Sequence, residues 1–146
     1  MDVFVANEQK LPVDEARSAS LARHALQMED VDDQAELSIL YIGSDHIKNL
    51  NDRYAGNSYA TDVLAFPLMD EVDDAFMMGD VVICPEVAQT NAERAGRPLQ
   101  DELDLLLVHG TLHLLGYDHQ RAEDGAKMEA RITEILSSFH PRRLLS

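Results

Sequence analysis

The sequence is short of several residue types, and each shortage excludes a class of protein. Its one cysteine, Cys84, cannot form a disulfide within the chain, which suits a reducing compartment. No apolar run approaches the roughly 18 residues that a membrane-spanning helix needs, so we expect no membrane partner. The first residues, MDVFVANEQ, lack the basic start and apolar stretch of a signal peptide, so we expect a cytoplasmic protein.

Basic residues are also scarce. Twelve Lys and Arg stand against 27 Asp and Glu, a formal net charge of −15 at pH 7. A protein that binds nucleic acid normally carries a basic surface, so any such surface here must be small and local. Two acidic runs, MEDVDD (28–33) and MDEVDD (69–74), fall between predicted elements, and we interpret them as solvated loops.

The pattern of apolar residues predicts one domain over residues 1–140 and a C-terminal tail over 141–146. The elements follow the order β α β α β β α α α, which indicates an α+β fold with one mixed four-stranded sheet and about five helices. We expect strands at 2–7, 35–43, 61–68 and 79–85. We expect helices at 12–29, 44–56, 85–96, 98–116 and 122–139.

Capping residues and hydrophobicity refine the predicted helices. Ser44 is the expected N-cap of the second helix, and Gly56 is its expected C-cap. Pro85 at the start and Gly96 at the end bracket the third helix. The helix over 99–115 is apolar nearly all round, which predicts a buried central position.

Three histidines fall within the eleven residues HGTLHLLGYDH, 109–119. His109 and His113 are four apart on the central helix, so their side chains share one face, with Cβ atoms about 6 Å apart. Gly116 can end the helix in the left-handed conformation, after which the chain can return His119 to the same ion. This is the ligand spacing of the metzincin proteases. We therefore predict one zinc ion held by three imidazoles with an open fourth position, as in catalytic sites.

The residue after the first histidine departs from the protease pattern. Gly110 stands where those proteases carry the Glu that acts as general base. Because glycine inside a helix costs about 1 kcal/mol relative to alanine, its presence suggests that another group approaches the helix closely there. It also argues against peptide hydrolysis, since the sequence shows no other base near the site.

These residues resemble the bacterial YbeY family of metal-dependent endoribonucleases, which act in ribosomal RNA maturation. The resemblance covers most of the chain and rests on HGTLHLLGYDH, TDVLAFP (61–67), GDVVICP (79–85) and Met128. It implies an α+β fold and a zinc ion that polarises a phosphodiester oxygen or lowers the pKa of its bound water. It also implies that the substrate is ribosomal RNA, preferably single-stranded, and that the protein does not bind DNA. It further implies that the protein acts in ribosome quality control.

The resemblance implies roles for particular residues. His109, His113 and His119 would be both zinc ligands and catalytic residues. Asp118 would join the catalytic set by orienting a histidine, although a turn residue before the last helix is an equal alternative. Thr61 and Asp62 either line the same cleft or only cap a strand.

One segment departs from the family pattern. Family members commonly carry Tyr-Arg-x-Lys-Asp-x-Pro where this chain reads YAGNSYA (54–60). The family's arginine therefore falls on Ala55, its lysine on Asn57 and its proline on Ala60. An arginine there would clamp a phosphate and stabilise charge in the transition state.

Other arginines are candidates for the missing one. Arg53 is two residues from Ala55, but two residues on a helix turn a side chain by about 200°, so Arg53 is expected to face elsewhere. The sequence does not place the remaining candidates, which are Arg94, Arg97 and Arg121.

Three functions follow from these observations. The first is a zinc-dependent endoribonuclease that processes ribosomal RNA. The second is a non-catalytic ribosome-assembly or interaction protein with a structural metal; for either of these two functions, ribosomal proteins or ribosome-associated factors are candidate partners that would supply positive charge. The third is a metal-dependent hydrolase of another bond, against which Gly110 argues.

Overall fold

A computed structural model describes residues 1–68, 77–118 and 120–140. The elements are β1 Asp2–Glu8, α1 Glu15–Met28, β2 Glu36–Ile42, α2 Ser44–Ala55, β3 Val63–Pro67, β4 Met77–Ile83, α3 Pro85–Ala95, α4 Leu99–Leu114 and α5 Ala122–Ser138. The predicted element order is confirmed, with ends that differ by a few residues. The acidic run at 69–74, His119 and the tail at 141–146 lie outside the described residues.

The strands form one mixed four-stranded sheet in the order β1-β2-β4-β3. Strand β2 pairs in parallel with both β1 and β4. Parallel neighbours need a crossover connection, and helix α1 lies in the one from β1 to β2, whereas α2 lies in the one that leads from β2 towards β4. Strand β3 pairs antiparallel with β4, with Val63 opposite Ile83. The predicted α+β class is confirmed.

Helix α4 lies at the centre of the fold. It packs against strands β3 and β4 and against helices α1, α3 and α5. Leu107, Val108 and Leu112 on this helix are at most 1% exposed. Because neighbours surround the helix, nearly every face of it is apolar, as predicted.

The helix ends confirm most of the predicted caps. Gly56 and Gly96 follow α2 and α3 with φ of 73° and 68°, the left-handed conformation that glycine adopts without strain. The prediction of Ser44 as an N-cap is wrong. The N-cap is Gly43, and the hydroxyl of Ser44 instead donates to a carboxylate oxygen of Glu86 on α3, 3.1 Å away.

The first acidic run is only partly a solvated loop. Met28 ends α1, and the carboxylate of Glu29 pairs with Arg131 of α5 at 2.6 Å. Asp30, with a φ of 55°, and the other aspartates of the run are exposed, as predicted. Within the described ranges, no helix combines the length and hydropathy that crossing a bilayer requires.

Candidate metal and catalytic site

Helix α4 and the edge strand β3 enclose a cleft of about 410 Å³. Its volume lies within the range of small-molecule binding sites. One wall is the strand, and the other is the face of α4 that carries the histidines. The cleft is lined by Asp62, Val63, Leu64, Ala65, Pro67, His109, Gly110 and His113.

His109 and His113 lie side by side on the helical wall of the cleft. Their Nε2 atoms are 3.0 Å apart, and their ring centroids are 4.6 Å apart at an interplanar angle of 63°. Both side chains are half-buried. The four-residue spacing on α4 therefore brings two ring nitrogens to one point, as the sequence pattern predicts.

The chemistry of this pair fits zinc. Two imidazole nitrogens bound to one tetrahedral zinc ion lie about 3.3 Å apart, and the 3.0 Å between the Nε2 atoms needs only a small adjustment to match. The third predicted ligand, His119, is outside the described residues. Among residues 1–68, 77–118 and 120–140, no three His, Cys, Asp or Glu side chains are grouped to hold an ion. The zinc site therefore stays a prediction.

Gly110 allows the helix to pack closely against the sheet. A Cβ atom at this position would lie 2.6 Å from Cγ1 of Val81 on β4 and 3.3 Å from Cγ2 of Val63 on β3. The group that approaches the helix is therefore the sheet itself. The glycine sets α4 close enough to β3 for the histidines and the strand to line one cleft.

The chain turns sharply after the histidine pair. Gly116 has a φ of 98°, which confirms its predicted left-handed conformation. The amide of Gly116 donates to the carbonyl of His113 at 3.0 Å, and the amide of Tyr117 donates to that of Leu112 at 3.1 Å. These bonds satisfy carbonyls at the end of α4 and start the segment that leads to His119.

Asp118 stabilises the next turn. Its Oδ1 accepts a hydrogen bond from the backbone amide of Gln120 at 2.9 Å, and its side chain is exposed. This contact agrees with the turn alternative for Asp118. A role in orienting a histidine remains untested.

Tyr117 anchors the same turn to the rest of the domain. A hydrogen bond to Glu29 and partial burial raise the pKa of the Tyr117 phenol. Glu29 in turn accepts from Nε of Arg131 at 2.6 Å, and another guanidinium nitrogen donates to the carbonyl of Met28 at 2.5 Å. The end of α1 and helix α5 therefore hold the turn two residues before His119.

Asp62 has both of the roles that the sequence left open. Its Oδ1 accepts from the amide of Val63 at 2.8 Å, and its carbonyl accepts from the amide of Cys84 at 2.9 Å, so it shapes the start of β3. It also lines the cleft, whereas Thr61 is not among the lining residues. Oδ2 of Asp62 accepts from the side-chain amide of Asn91 on α3 at 3.2 Å.

Asn91 is a site residue that the sequence analysis missed. It lies 29 residues from Asp62 along the chain, and the two meet only because β4 carries α3 back past the start of β3. No local pattern could have indicated this contact.

Arg53 lies on a regular part of helix α2, which ends at Ala55. Its guanidinium carbon lies 6.0 Å from the centroid of the Tyr54 ring. The two-residue offset therefore keeps Arg53 and position 55 on different faces of the helix, as predicted.

The other candidate arginines do not line the cleft. Arg97 donates to Glu102, whose side chain is only 6% exposed, at 2.5 Å. Arg97 therefore offsets the negative charge of the buried Glu102 carboxylate. Arg94 and Arg121 are exposed. In the described part of the cleft, no arginine contributes to the lining.

Comparison with known proteins identifies the family of this chain. Residues 4–140 match the family described as Endoribonuclease YbeY. The protein of that name from Thermobifida fusca is 44% identical over 147 aligned positions, which cover 95% of this chain and 94% of the relative. The one from Salinispora tropica is 43% identical over 156 positions, which cover 98% and 99%. The solution structure of TM1509 from Thermotoga maritima matches with a TM-score of 0.60 and 28% identity, covering 92% of this chain and 89% of that one. Agreement in sequence and fold over almost the whole length shows that the chain belongs to the YbeY family.

Proposed function

We propose that this protein is a zinc-dependent endoribonuclease, with one zinc ion held by His109, His113 and His119. The observation that carries the proposal is the 3.0 Å approach of the Nε2 atoms of His109 and His113 in a cleft. Relatives that cover almost the whole chain are named endoribonucleases, which supports RNA as the substrate.

Different residues of the chain would contribute to different parts of this reaction. Zinc, when bound, would supply the positive charge that polarises a phosphodiester oxygen and makes a water molecule more acidic. Helix α4 fixes the direction of both described imidazoles. Gly110 keeps the strand wall within reach of them, so a phosphodiester in the cleft is held between β3 and the histidines.

The dimensions of the cleft favour an unpaired strand. A volume of about 410 Å³ suits a group the size of a drug-like ligand, so one unpaired nucleotide fits into it. We propose single-stranded segments of ribosomal RNA as the substrate, cut during ribosome maturation and quality control in the cytoplasm. Ribosomal proteins bound nearby would offset the acidic charge of this chain.

A second function is favoured by one observation. The family's arginine position is Ala55, and no arginine lines the described part of the cleft. Without a guanidinium beside the phosphate to stabilise the transition state, cleavage would be slow. The chain would then be a ribosome-assembly protein in which the metal is structural.

One experiment distinguishes the two proposed functions. Zinc-loaded wild-type protein, His113→Ala and the exposed-surface control His46→Ala are purified identically and incubated with ribosomal RNA. We expect the wild type and His46→Ala to cut the RNA, and His113→Ala to cut at least 100-fold more slowly and to bind less zinc. If all three proteins are silent, or all three cut equally, the endoribonuclease proposal is wrong and the assembly function takes its place.

A further inference from the structure

Hydrolysis of a phosphodiester needs a group that removes a proton from the attacking water. The metzincin pattern places a glutamate beside the first histidine for this purpose, and this chain has Gly110 there. We propose that Asp62 is the general base of the RNA cleavage and that Asn91 is its positioning residue. This inference rests on the proposed endoribonuclease function.

The position of Asp62 supports this role. Among the described residues that line the cleft, Asp62 is the one carboxylate, and it stands on the wall formed at the start of β3. The histidines lie on the other wall, so a phosphodiester between them has the carboxylate on one side and the imidazoles on the other. The Asp62 side chain is half-buried, which keeps it reachable from the cleft.

The hydrogen bonds of Asp62 fix its carboxylate without using all of its acceptor capacity. Oδ1 accepts from the amide of Val63 at 2.8 Å and from the hydroxyl of Thr61 at 3.4 Å, and Oδ2 accepts from the side-chain amide of Asn91 at 3.2 Å. Each carboxylate oxygen can accept two hydrogen bonds, so Oδ2 retains a lone pair for a water proton.

The proposed step balances as follows. The water oxygen forms a bond to phosphorus while its proton passes to the Asp62 carboxylate. The bond between phosphorus and the leaving ribose oxygen breaks, and its electron pair stays on that oxygen. The leaving oxygen takes a proton from a solvent water and Asp62 returns its proton to solvent, so the carboxylate is restored and the products are a phosphate monoester and an alcohol.

A purely structural role for Asp62 makes a different prediction. Its carbonyl bond to Cys84 belongs to the backbone, and an asparagine oxygen could still accept from the amide of Val63. Asp62→Asn therefore keeps the hydrogen bond at the strand start and removes the basic group, while the side-chain amide of Asn91 has to flip so that its oxygen accepts from the new amide nitrogen. If the residue is structural, this variant leaves the rate unchanged.

The test compares wild type, Asp62→Asn, Asn91→Ala, their double variant and the exposed-surface control Asp45→Asn on single-stranded RNA. We expect Asp62→Asn to lower kcat by at least 100-fold while KM, zinc content and Tm stay close to the wild-type values. We expect Asn91→Ala to lower kcat by a smaller factor, and the double variant to be no slower than Asp62→Asn. Asp45→Asn should match the wild type.

A second variant gives an independent readout. Asp62→Ala leaves a space for formate, a small carboxylate that can take over the removal of the proton. We expect added formate to raise the rate of Asp62→Ala several-fold and to leave Asp45→Asn unchanged. This rescue separates a lost base from a disturbed fold, because formate cannot repair a misplaced strand.

Several results would overturn the inference. An Asp62→Asn variant that keeps more than a third of the wild-type kcat shows that Asp62 is not the base. Loss of zinc from Asp62→Asn shows that Asp62 is a metal ligand instead. A rate of Asp62→Ala that formate does not change also contradicts the inference. If the wild type itself cuts no RNA, the proposed function fails and the inference falls with it, an outcome that the wild-type lane alone reveals.

Discussion

Replacing Gly110 with alanine tests whether helix α4 depends on a glycine for its approach to the sheet. The added Cβ would lie 2.6 Å from Cγ1 of Val81, which is 0.8 Å inside the 3.4 Å at which ordinary contacts begin. Val81 lies on β4, which pairs with β2 on one side and with β3 on the other, and Val81 is 0% exposed. Its branched side chain has few rotamers, so it cannot move aside easily.

The expected magnitude is a balance of two effects. Overpacking of a well-packed core costs about 1–3 kcal/mol. Because the overlap is deep and Val81 cannot easily change rotamer, we expect a cost of about 2–3 kcal/mol here. Alanine is better than glycine inside a helix by about 1 kcal/mol. Gly110→Ala should therefore lower the free energy of unfolding by about 1–2 kcal/mol and Tm by about 3–7 °C.

Chemical denaturation of four proteins measures this balance: the wild type, Gly110→Ala, Val81→Ala and the double variant. Because Val81→Ala removes the clashing methyl group, the double variant should be more stable than the sum of the single effects by about 2–3 kcal/mol, the cost of the overlap itself. If Gly110→Ala is instead more stable than the wild type by about 1 kcal/mol, helix propensity alone determines the effect of the substitution. The reasoning about close packing would then be refuted.

Three further predictions concern stability and the metal. Burial raises the pKa of Tyr41 to about 12 from the ordinary 10.0, so the folded chain keeps a phenol proton that the unfolded chain loses. The free energy of unfolding should fall by about 2 kcal/mol as the pH rises from 10 to 12, and Tyr41→Phe should lack this loss in urea titrations across that range. Arg131→Ala leaves the 12%-exposed Glu29 carboxylate without its ion pair and should cost about 1–3 kcal/mol in a denaturant melt, with Arg131→Lys intermediate; equal midpoints would contradict this. Removing zinc with a chelator should lower the Tm of the wild type but not that of His113→Ala, and calorimetry of both proteins with and without chelator shows whether it does.

Sequence patterns predict the parts of this fold that depend on local physics. The apolar surface of α4 predicts its burial, and the histidine spacing predicts that the two imidazoles share a face. Gly116 predicts the left-handed turn that follows. Each of these features depends on residues within one or two helical turns of each other, so the order of residue types carries the information.

The remaining features depend on contacts between distant segments. Asp62 meets Asn91 through the packing of α3 on the sheet, and Arg97 is engaged with a buried Glu102. Ser44 looks like an N-cap, but its hydroxyl is used by Glu86 of another helix. Sequence alone could show that Gly110 needs space, whereas only the fold shows that Val81 is the neighbour.

The strand order leaves β1 and β3 at the two edges of the sheet formed by the described residues. The outer backbone groups of an edge strand can pair with the same strand of another molecule, which is a route to aggregation. Strand β1 has acidic residues at both ends, Asp2 and Glu8, and β3 ends in Pro67, which has no amide proton to donate. Mutual repulsion from a net charge of −15 adds to this protection at neutral pH. Near the sequence pI of about 4.5 that repulsion disappears, so the protein should become least soluble there, and acidic buffers are a poor choice for its storage.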